Sequence, residues 1–94
     1  DPELILMDEP FSALDYFTRR NLQDMVLRLF HHQKKTILFV THDVEEALLL
    51  GDRILVMENG NIKADMPVAL PFPRKAADPP LQEMRQQILD LLAE

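Results

Sequence analysis

Leu4-Ile5-Leu6-Met7-Asp8-Glu9-Pro10 is the stretch whose reading decides the fold. Its four consecutive apolar residues suit a short strand buried on both faces of a parallel sheet, and Glu9-Pro10-Phe11-Ser12 breaks it. From Asp15 to about Gln33 the apolar residues Leu22, Met25, Val26, Leu29 and Phe30 recur at helical spacing. Thr36-Ile37-Leu38-Phe39-Val40 is a second apolar, β-branched run. A strand, a long helix and another such strand make a βαβ unit.

Beyond it, Asp43 predicts a helix N-cap with Glu46 in capping-box position, and Gly51 a C-terminal stop. Ile54 to Met57 reads as a third strand, which Asn59-Gly60 turns back along Ile62 to Met66 as a hairpin. Five of the seven prolines lie between Met66 and Leu81, which predicts a stiff, extended connector that does not pack. Asp78-Pro79 can start a last helix, and Leu81, Met84, Ile88, Leu91 and Leu92 line one face expected to dock. The class is α/β. The expected segments are a catalytic-core part over 1–66, the connector over 67–80 and an amphipathic helix over 81–94.

The chemistry gathers at strand ends. Asp8 and Glu9 close the first strand at its carboxyl edge, where ligands bind in open α/β sheets. One carboxylate there can hold a hydrated Mg²⁺ while its neighbour polarises a water. Taken alone, an apolar run ending in Asp-Glu is equally a solvated acidic turn. Thr41-His42-Asp43 puts His42 at the same edge of the second strand, where it could donate to a phosphate oxygen and help hold the attacking water.

With these residues in view, Leu4 to Pro10 resembles the extended Walker B of ABC ATPases. Ser12-Ala13-Leu14-Asp15 resembles their D-loop, and Thr41-His42-Asp43 their switch-histidine motif. The resemblance covers the whole chain, and implies the C-terminal part of a P-loop nucleotidase sheet with ATP and Mg²⁺ as cofactors. By it, Asp8 holds Mg²⁺ through water, Glu9 is the general base and His42 contacts the γ-phosphate. Ser12 and Asp15 belong to the nucleotide site, and Asp15 signals across a dimer of nucleotide-binding subunits. Asp15-Tyr16-Phe17-Thr18-Arg19, Leu48-Leu49-Leu50-Gly51-Asp52-Arg53, and Phe72-Pro73-Arg74 with Asp78-Pro79 resemble the nitrate, sulfonate and taurine importers. That subgroup implies a cytoplasmic ATPase seated on a membrane permease, with a solute-binding protein as an indirect partner.

There are departures from the family pattern. The two glycines, Gly51 and Gly60, fit no phosphate-binding loop. The base-stacking aromatic, glutamine loop and Ser-Gly-Gly signature are also missing. The abrupt opening Asp1-Pro2-Glu3 reads as a cut inside a larger protein. The isolated chain is therefore expected neither to bind nor to hydrolyse ATP. In this class the phosphate-loop strand lies between the His42 strand and the Ile54–Met57 strand. Without it those strands should close on each other or pair with another copy.

Composition bounds the alternatives, a non-transport ABC ATPase or a non-catalytic interaction module. A formal charge of −6 argues against a nucleic-acid partner. His31, His32, Lys34 and Lys35 form the densest basic cluster, read as a solvated helix end. No cysteine is present, which excludes disulfides and thiolate chemistry, and no apolar run approaches the ~18 residues of a membrane span.

Overall fold

The computed structural model describes residues 4–30 and 36–93. Asp1-Pro2-Glu3, the basic cluster from His31 to Lys35 and the expected helix end at Gln33 lie outside the described residues. The fold is mixed α/β with a C-terminal helix, and it divides into two compact units, Asp1–His42 and Asp43–Glu94.

In the first unit, β1 (Leu4–Asp8) pairs in parallel with β2 (Thr36–Val40), in register from Leu4 opposite Thr36 to Asp8 opposite Val40. Helix α1 (Tyr16–Phe30) lies between them in sequence. Burial on both strand faces is not realised. Leu4 and Leu6 are 67% and 65% exposed, Leu38 and Val40 47% and 42%, while the alternate residues are half-buried. Apolar composition sets the strand, but burial needs a covering layer, and one face of this pair has none within the unit. The covered face of α1 also differs in part from expectation. It runs through Arg19, Leu22, Gln23, Val26, Leu27 and Phe30, so Leu22, Val26 and Phe30 are covered as expected while Met25 and Leu29 are exposed.

The second unit has its own core. Helix α2 (Val44–Leu50) is capped by Asp43, whose carboxylate accepts from the Glu46 amide at 3.2 Å. Gly51 closes the helix, with its N–H donating to the Ala47 carbonyl at 2.8 Å. Its φ of −91° is open to any residue, so what glycine provides is room: an added Cβ would sit tightly against the Ala47 carbonyl oxygen, at 3.0 Å. β3 (Arg53–Glu58) and β4 (Asn61–Pro67) form an antiparallel hairpin around Asn59-Gly60, with φ of 53° and 79°. Positive φ at both turn residues is what a two-residue loop with the right strand twist requires. Lys63 is the extra residue of a bulge on β4. Its amine donates to the Leu91 carbonyl at 2.6 Å and pairs with Glu58 at 3.0 Å.

Helix α3 (Pro79–Ala93) packs on α2. Leu48, Leu49, Ile54, Val56, Val68, Leu81 and Ile88 form one buried cluster, with Met84 packed against it. Full burial of Leu48 and Leu81 contributes roughly 1.5–3 kcal/mol each. Leu91 is half-buried, but Leu92 is exposed, so the docking face is one residue narrower than expected.

The described strands form two sheets of two, β1 with β2 and β3 with β4. One expectation is corrected. The proline-rich segment is not an unpacked connector, since Val68 and Arg74 are buried within it. The reason is Arg74. Its guanidinium donates to the carbonyls of Leu48 at 2.8 Å, Leu70 at 3.0 Å, Val68 at 3.3 Å and Gly51, and sits over the Phe72 ring. The last turn of α2 thereby receives donors for carbonyls that no intrahelical N–H can reach.

Removing that fork leaves buried carbonyls unsatisfied, at about 1–3 kcal/mol per group before relaxation. In the full-length protein we expect Arg74→Ala to lower the opening free energy of the Ile54 and Val56 amides by about 2 kcal/mol. Arg74→Lys should recover only part, because a point charge cannot span four carbonyls. Hydrogen exchange measures this, and unchanged protection in Arg74→Ala would exclude a stabilising role for the fork.

Candidate active-site edge

The candidate site lies in the first unit, where β1 and β2 end side by side. Asp8 is the last residue of β1 and is exposed. The next amide, that of Glu9, donates to the Val40 carbonyl at 2.8 Å, carrying the ladder one bond past the strand. The Glu9 backbone then enters the left-handed region, φ 46°, which is uncommon for a residue with a Cβ. Pro10 and Phe11 follow as the centre of a turn, and the Ser12 amide returns to the Glu9 carbonyl at 3.3 Å. The Ser12 hydroxyl donates to the same oxygen at 3.1 Å. Phe11 is buried, with its ring 5.8 Å from that of Phe39 on β2. A strained residue is thus held by hydrogen bonds on both sides and by an aromatic contact beyond it.

The outcome is a juxtaposition. Glu9 Oε1 lies 3.3 Å from His42 Nε2. The His42 side chain is 91% exposed and that of Glu9 34%, so the carboxylate is sheltered while the ring can turn. The separation is longer than a tight charge-assisted bond.

Ser12 and Asp15 use their side chains locally. Asp15 caps α1: Oδ1 accepts from the Thr18 amide and Oδ2 from the Thr18 hydroxyl, both at 2.9 Å. Arg19 reaches back to the Leu14 carbonyl at 3.1 Å. Among the described residues no three His, Cys, Asp or Glu side chains gather as a metal cage. Asp8 offers a single exposed carboxylate, a donor set suited to hydrated Mg²⁺, which needs only one or two carboxylates beside phosphate oxygens.

Sequence reading located Asp8, Glu9 and His42 on one edge but missed what holds them. Phe11 was visible only as an apolar residue after Pro10, and Thr18 is a partner that the Asp15-x-x-Thr18 spacing could have signalled.

No protein-family profile matches the chain. Full-length relatives do, along nearly its whole length, and by them the chain belongs to the ATP-binding subunits of ABC importers, as a C-terminal part. The relatives are proteins of aliphatic sulfonate import. Aliphatic sulfonates import ATP-binding protein SsuB 1 of Pseudomonas fluorescens is 48% identical over 92 residues, 98% of this chain and 36% of its own length. SsuB 2 of Paracoccus denitrificans is 50% identical over 92 residues, covering 98% of this chain and 38% of its own. SsuB of Granulibacter bethesdensis is 47% identical over 91 residues, 97% of this chain and 38% of its own. The chain thus spans a little over a third of the relatives it matches.

Thr18 makes the Asp15 cap testable. The Thr18 amide and then its hydroxyl hold the Asp15 carboxyl below its ordinary value of 3.8. A depressed folded-state pKa stabilises above the unfolded value and is lost as pH falls through the folded one. The cap should therefore be intact at neutral pH and fail only in acid below the usual carboxylate range. In a carboxyl NMR titration Thr18→Val should move Asp15 upward, toward its ordinary value. An unmoved titration would mean that the hydroxyl bond is not formed in solution.

Proposed function

We propose that this chain supplies the water-activating edge of the ATP-hydrolysing subunit of an ABC importer, of the aliphatic sulfonate group that its relatives' names indicate. The observation that carries the reading is the Glu9–His42 contact, directly after Asp8 at the carboxyl ends of two parallel strands. Glu9 is the general base: Oε1 faces His42, leaving the second carboxylate oxygen to take a proton from water. His42 orients that carboxylate and, being exposed, can donate to the terminal phosphate. Asp8 would hold Mg²⁺ through water. Bound Mg²⁺ would neutralise charge on the phosphate oxygens.

The pair β1 and β2 would belong to a larger parallel sheet of the P-loop type, completed by the rest of a full-length subunit. Their exposed leucines and valine support this, because two strands with an uncovered apolar face are marginal in water. The partners would be a second nucleotide-binding subunit and a membrane permease, with a solute-binding protein acting through the permease. No described helix is long and apolar enough to cross a membrane, so the membrane contact would run through the permease.

The test is Glu9→Gln in the full-length protein. We expect turnover to fall by roughly 10²–10⁴ with ATP affinity unchanged, the usual cost of losing a general base. ATPase activity near that of the unsubstituted protein would remove Glu9 from this role.

A further inference from the structure

Glu9 combines two features that rarely coexist: a left-handed backbone and a carboxylate that must point one way. Nothing in a glutamate side chain favours φ 46°, and the residue before a proline is further restricted. Such a conformation persists only where the surroundings determine it. The amide side is fixed by the Val40 carbonyl at 2.8 Å. The carbonyl side is fixed by Ser12, through its N–H at 3.3 Å and its hydroxyl at 3.1 Å on one oxygen. The hydroxyl adds a second donor to the amide on that oxygen and so restrains the plane of the Glu9–Pro10 peptide.

We propose that Ser12 is a positioning residue for Glu9: its hydroxyl fixes the Glu9 carbonyl and so aims the carboxylate at His42. This rests on the reading of Glu9 as general base. It differs from the expectation that Ser12 contacts nucleotide, because a hydroxyl proton engaged with a backbone carbonyl is not available to a phosphate oxygen. Without the hydroxyl, Glu9 keeps its charge and its neighbours but samples backbone states in which Oε1 leaves His42. The chemical step slows while nucleotide binding is untouched.

The experiment is steady-state ATPase and nucleotide titration of the full-length protein carrying Ser12→Ala, Ser12→Thr and, separately, Glu9→Gln. Ser12→Ala should lower kcat roughly fivefold to tenfold, the worth of one net hydrogen bond, with KM and ATP affinity unchanged. Ser12→Thr keeps the hydroxyl and should restore most of kcat. A weakened ATP affinity in Ser12→Ala would overturn the proposal in favour of a nucleotide contact, and so would an unchanged kcat. Equal loss in Ser12→Ala and Ser12→Thr would overturn it too, since the hydroxyl would then not be what matters. If Glu9→Gln itself retains activity, the general-base reading fails first and separately. Ser12 is exposed, so neither variant removes a packed side chain.

Discussion

The hydrogen bond from the Glu9 amide to the Val40 carbonyl is the constraint on which the candidate site depends. It extends the parallel ladder one residue beyond β1, so the two strand ends stay in step where the chemistry would occur. Glu9 and His42 come together because each leaves its strand just past this last bond. Their 3.3 Å approach follows from backbone register, with Phe11 against Phe39 keeping the outgoing turn down on β2. Phe11, beside this edge, and Gln23, on α1, are the first unit's buried side chains among the described residues.

The second unit solves a different problem, that of backbone polar groups left over where elements end. Arg74 reaches the carbonyls at the end of α2 and of its own segment, and Lys63 reaches Leu91 near the end of α3. Both are cations near helix C-termini, where the dipole favours them. The apolar cluster of α2, β3 and α3 provides the burial, and these two side chains decide how the connecting segment and the hairpin bulge meet it.

Local chemistry was legible in the sequence wherever one residue type does one job. Asp43 caps α2, Asn59-Gly60 turns the hairpin, Pro79 opens α3, and the apolar runs become β1, β2 and β3. Asp8, Glu9 and His42 could be assigned to one edge because strand ends in a βαβ unit share a side. What depends on distant partners was not legible. Exposure of Leu4 and Leu6 depends on a layer the unit does not contain. Burial of Arg74 depends on carbonyls 23 and 26 residues away in sequence. Gly51 read as a stop for its freedom of φ, yet its role is steric, which only the neighbouring Ala47 carbonyl reveals. The left-handed backbone of Glu9 had no signal at all, since composition alone would never put a pre-proline glutamate there.

In the proposed function, Glu9 and His42 act as one unit on the attacking water. A double-mutant cycle in the full-length protein, read as single-turnover ATP hydrolysis, tests it most directly. If the two side chains work through their mutual contact, Glu9→Gln with His42→Ala will be about as slow as the slower single variant. If the two losses instead multiply, the residues act independently and the pairing at the strand ends is not the catalytic device.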